Sequence, residues 1–131
     1  MLVPIFTLVA TPPTPPITPE LRAWVEQERA RGGEAVRAIT RQRRLLLAQT
    51  HGLERFTIRM ALVNLTGSVA RWGNGLRDGL ERAGHAETAA LFAAGPPFPA
   101  GDPSAEDCDR LGEYVEARMK AIQDLLAGDT A

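Results

Sequence analysis

The sequence predicts an all-α protein: a bundle of four to five helices behind an extended apolar N-terminal arm and a polyproline linker. Three observations carry that expectation. Apolar residues recur at three- and four-residue steps through most of residues 18–131, the spacing that lines one face of an α-helix. No stretch beyond the first nine residues alternates with period two, the mark of a half-buried strand. The segments between periodic runs are rich in proline or glycine: TPPTPPITP at 11–19, GG at 32–33, GNG at 73–75 and GPPFPAGDP at 95–103. A chain of 131 residues suits a single domain, with residues 1–17 as arm and linker and 18–131 as the bundle.

The arm comes first. Leu2, Val3, Ile5, Phe6, Leu8 and Val9 are apolar, and prolines at 12, 13, 15, 16 and 19 follow them. Proline fixes φ and lacks an amide donor, so this stretch reads as polyproline II, a semi-rigid spacer rising ~3.1 Å per residue. An apolar segment on a stiff spacer marks an interaction site. It can add as a strand to a partner's sheet edge, or fold back over a groove of its own bundle. The six apolar residues are therefore the candidate partner-binding set.

Thr18-Pro19-Glu20 reads as a helix start: a threonine cap, a proline at the first helical position and an acid at the positive end of the dipole. Leu21, Trp24 and Val25 supply the buried face, and Gly32-Gly33 is expected to end the helix. A second helix is expected over 34–50, with Ala35, Ile39 and Leu46 on one face and Arg37, Arg41 and Arg44 on the other. Residues 53–72 carry two apolar stripes: Leu53, Phe56, Met60, Val63 and Gly67, and Ile58, Leu62, Leu65, Val69, Trp72 and Leu76. Two stripes imply cover on two sides, as for the central helix of a bundle. Trp72-Gly73-Asn74-Gly75 is expected to turn or kink the chain, with short helices over 76–83 and 85–94. The last helix starts at Ser104, where Ser-Ala-Glu-Asp approximates a capping box; its stripe is Cys108, Leu111, Val115, Met119, Ile122 and Leu126.

The formal net charge of −1 excludes a strong global attraction to nucleic acid or acidic membranes, but the charge is segregated. Residues 29–71 hold nine arginines and two acids, whereas 101–131 hold eight acids and three bases. The row Arg37, Arg41 and Arg44, with Arg43 nearby, suits either phosphates or an acidic protein face, including that of the last helix. No aromatic residue interleaves it, which argues against single-strand recognition.

Catalytic chemistry is not evident. Glu81/His85 and His51/Glu54 lack the order and spacing of a helical di-metal site, and both histidines neighbour glycines at helix ends, where capping is the simpler role. Cys108 is the lone cysteine and falls on an apolar stripe. Ser68 has no histidine or lysine at helical spacing, and no phosphate-loop, dinucleotide or zinc pattern is present. No cofactor or metal is expected. The first residues lack a basic n-region and Pro4 interrupts their apolar run, so they make a poor signal peptide, and no segment approaches the ~20 apolar residues of a membrane span. The expectation is a non-enzymatic assembly or adaptor subunit, cytoplasmic or in a particle assembled there, such as a virion, with a protein partner or a second copy. A nucleic-acid-binding subunit using the arginine row is the alternative.

Overall fold

A computed structural model describes residues 15–48, 51–99 and 101–128. Four helices make up the regular structure of these residues: α1 (Pro19–Leu47), α2 (Leu53–Arg82), the single-turn α3 (Ala86–Ala90) and α4 (Ala105–Gly128). The all-α expectation holds. The arm residues Leu2 to Val9 and the first prolines of the linker lie outside the described residues.

The start of α1 is as the sequence predicts. The Leu21 amide donates to the Thr18 hydroxyl oxygen (3.1 Å), and Pro19 takes the first position. The expected stop at Gly32-Gly33 does not occur: α1 continues to Leu47. The reason is packing. A Cβ on Gly32 would lie 2.9 Å from Met119 Cγ and 3.0 Å from Trp72 Cζ2, so the missing side chain lets two helices close on α1. Each interior glycine costs a helix about 1 kcal/mol relative to alanine. Burial of the side chains it admits opposes that cost.

The Trp72–Gly75 segment is likewise helical rather than a turn, because α2 runs unbroken to Arg82. Trp72 donates its indole N–H to the Glu28 carbonyl (2.9 Å), and the ring packs against both halves of the core. Gly79 is an approach point: a Cβ there would fall within 2.9 Å of three atoms of the Trp24 ring. The two expected breaks are absent, so what reads as several short helices is two long ones. After Arg82 the chain does stop. The His85 amide donates to the Leu80 carbonyl and the Gly84 amide to the Glu81 carbonyl, a Schellman closure that puts Gly84 at φ +90°. The helix expected over 85–94 shrinks to Ala86–Ala90.

Ser104 and Asp107 form the reciprocal cap of α4. The Asp107 amide donates to the Ser104 hydroxyl oxygen (3.2 Å) and the Ser104 amide to the Asp107 carboxylate (2.9 Å). Burial disfavours the charged Asp107. Hydrogen bonds from Ser104 and Arg110, with the guanidinium's charge, outweigh it and hold the carboxyl below its ordinary value.

α1 is the central helix, packed along both α2 and α4, while α2 and α4 touch each other lightly. This corrects the expectation that the helix from Leu53 is central. Only one α2 stripe is covered: Ile58, Leu62, Val69 and Leu76 are buried, whereas Leu53, Phe56, Met60 and Val63 are exposed. The core forms two clusters. Ile39, Leu46, Ile58, Leu62, Val69, Cys108, Leu111 and Val115 make one, and Val25, Leu76, Leu80, Ala89, Phe92, Ile122 and Leu126 the other. Phe92, from the segment after α3, meets Trp72 edge-on with centroids 6.3 Å apart. Arg22 reaches from the first turn of α1 to the Leu126 carbonyl near the end of α4 (3.5 Å).

Candidate functional site

Two surfaces stand out. The first is the uncovered stripe of α2. Leu53, Phe56, Met60 and Val63 are 79, 59, 45 and 38% exposed, and they repeat at 3-4-3 spacing on the side of α2 away from its buried stripe. Leu45 and Leu47, at the end of α1, are also exposed and precede this stripe across the α1–α2 connection. Such spacing is the seam that an amphipathic helix offers to another helix or to an extended apolar segment. The periodicity of these residues is legible in the sequence; their exposure is not, because a stripe reads the same whether or not anything covers it.

The second surface is the arginine row on α1. Arg37, Arg41 and Arg44 are exposed and share one face. Arg44 also lies in the last turn of α1, where a cation offsets the negative end of the dipole. Arg43 is set apart: its Nε donates to an Asp109 carboxylate oxygen on α4 at 2.7 Å. Both partners are about half exposed, so this pair is worth at most about 1 kcal/mol. One arginine of the four thus meets the acidic helix, and three face outward. The row lies along a single helix, and only Arg37 of the three lines a surface depression, with Arg29 and Glu34.

The arrangement offers little for covalent chemistry. Cys108 is buried in the core, and burial first, then the Asp107 and Asp109 carboxylates, push its thiol above the ordinary value. Such a thiol is a poor nucleophile at neutral pH. His51 is exposed and His85 is 3% exposed, so the two carboxylate–histidine pairs share no common site. The expected capping role for the His85 ring is not what is observed. Neither ring nitrogen hydrogen-bonds among the described residues, and it is the His85 amide that closes the end of α2. Among the described residues no group of three or more histidine, cysteine or acidic side chains converges as metal ligands, and no helix is long and apolar enough to cross a membrane.

No protein-family model matches the chain, and neither a curated protein nor a solved structure is significantly similar to it.

Proposed function

We propose that the protein is a non-enzymatic assembly or adaptor subunit of a larger complex, docking through its N-terminal arm and the open face of α2. The observation that carries this reading is the exposed Leu53–Phe56–Met60–Val63 stripe. A helix that leaves a second regular apolar face in water retains an unfavourable surface that association removes. The uncharged arm, with Leu2, Val3, Ile5, Phe6, Leu8 and Val9, adds a second apolar element of the same kind. One chain thereby carries two apolar attachment points, the arm and the stripe, which is what a linking subunit needs.

Sedimentation analysis tests the reading on three chains: the full sequence, a deletion of residues 1–14, and the double variant Phe56→Asp/Met60→Asp. The full chain is expected to self-associate or to co-purify with a defined partner at fixed stoichiometry. Each altered chain is expected to lose that association while its circular dichroism stays unchanged. A full chain that remains monomeric, with no stoichiometric partner, overturns the proposal.

The outward-facing Arg37, Arg41 and Arg44 support a second reading, an all-α nucleic-acid-binding subunit. Phosphate contacts by this row make the logarithm of affinity fall with the logarithm of salt by roughly 0.7–0.9 per contact. A gel-shift titration with mixed RNA and duplex DNA separates the readings. Binding that is abolished by Arg37→Glu/Arg41→Glu/Arg44→Glu favours this one, and no shift near physiological salt removes it.

A further inference from the structure

α1 and α2 enclose a cleft of about 530 Å³ on their shared face, within the range of small-molecule sites. Its apolar wall includes Trp24, Trp72 and Val69. Both indoles are held in place. Trp72 donates its only N–H to the Glu28 carbonyl, so what remains for a ligand is ring surface. Trp24 lies against Gly79, where no side chain intervenes. Gly75 also lines the cleft, and a Cβ built on it meets nothing within 4 Å, so the wall is open there.

Three guanidinium groups belong to the same cleft. Arg31 is committed to Glu28, whose carboxylate it meets at 3.1 Å. Arg71 donates only to the Ser68 hydroxyl (3.2 Å), and Arg82 has no side-chain hydrogen bond or ion pair among the described residues. One carboxylate therefore faces three arginines, a local excess of positive charge in a chain whose net charge is −1. Flat apolar walls beside unneutralised guanidinium groups match one class of ligand. Guanidinium binds carboxylate, sulfonate or phosphate through paired hydrogen bonds, and indole faces bind planar apolar groups.

We propose that this cleft binds a small organic anion with a planar apolar body, the ring system against Trp24 and Trp72 and the acid group drawn in by the positive charge that Arg71 and Arg82 give the lining. The site is distinct from the open stripe of α2 and does not depend on the assembly reading.

The chain supplies its own reporter, because Trp24 and Trp72 are its two tryptophans and both line the cleft. The full chain is titrated with 1-anilinonaphthalene-8-sulfonate, with the neutral analogue N-phenyl-1-naphthylamine and with inorganic sulfate, following tryptophan emission and energy transfer to the probe. One saturable site is expected for the sulfonate. The neutral analogue should bind roughly tenfold more weakly or worse, the scale of one lost charge-assisted contact, and sulfate alone should leave the emission unchanged. Arg71→Glu/Arg82→Glu should weaken the sulfonate by roughly tenfold or more. Gly75→Leu, which fills the open wall, should abolish binding with the circular dichroism retained and the melting temperature no lower than the parent's. Phe56→Asp/Met60→Asp should bind as the parent does. Equal binding of the charged and neutral probes, indifference to the arginine reversal, loss in the Phe56/Met60 variant, or no saturable change in tryptophan emission overturns the proposal.

Discussion

The two stripes of α2 are built from the same kinds of residue at the same spacing, yet one is sealed and the other open. Leu62 and Val69 are each 2% exposed, while Phe56 and Met60 on the other stripe are 59 and 45% exposed. The difference does not lie in the stripes. It lies in α1, which covers one side of α2 and packs another of its own faces on α4. Periodicity thus identifies residues that share a face, and only the supply of covering elements decides whether that face becomes core.

The largest expected effect breaks this contrast directly. Leu62→Ala should cost about 2–5 kcal/mol, through lost burial and the cavity left behind, whereas Phe56→Ala should change the stability of the bundle by less than about 0.5 kcal/mol. Urea unfolding of both variants in the chain lacking residues 1–14 checks the pair. Equal costs would mean that the open stripe is packed.

A second contrast lies within the glycines of α2. Gly79→Ala drives a methyl group into the Trp24 ring and should cost about 1–3 kcal/mol. Gly75→Ala meets open space and should raise stability by about 0.5–1 kcal/mol through helix propensity alone. Thermal melts of the two variants should therefore move in opposite directions.

The smallest effect sharpens the comparison of capped and uncapped helix starts. Gly52 precedes α2 with no side-chain cap, whereas Ser104 and Asp107 cap α4 reciprocally. The folded Asp107 carboxyl titrates below its ordinary value, so its contribution is complete above the unfolded value near pH ~4 and is lost as pH falls through the lower folded value. Asp107→Asn should cost about 1 kcal/mol at neutral pH. The gap between variant and parent should close in acid, as measured by denaturant titration at several pH values.

Much of this architecture is readable from the sequence. The cap at Thr18, the capping box at Ser104, the proline-rich break after Phe92 and the buried positions of α4 all follow from local rules that a few neighbouring residues satisfy. The misread segments share a cause. Gly32 and Gly73 read in sequence as helix ends or bends, but both are buried against side chains from other helices, Met119 and Trp72 at one and Tyr114 at the other. A glycine that breaks a helix and a glycine that admits a neighbour are the same letter, and the neighbour is distant in sequence. Phe92 is not legible as core for a related reason: it sits in a short segment without periodicity and is buried by what it meets. The tryptophan–arginine cleft joins residues 24 to 82 across two helices, and no local pattern links them.

The pairing of α1 with α4 has a consequence for how the protein is made. The hydrogen bond from Arg22 to the Leu126 carbonyl spans 104 positions, and α4 supplies Cys108, Leu111, Val115, Ile122 and Leu126 to both core clusters. During synthesis α1 and α2 emerge first and can form a hairpin, but the side of α1 that α4 will cover has nothing to pack on until residues 105–128 have been translated. At synthesis rates of about 5–20 residues per second, that interval lasts seconds, far longer than a helix takes to form. The nascent chain therefore passes through a half-covered hairpin with apolar surface open on α1 as well as on α2, and folding closes from the C-terminal side.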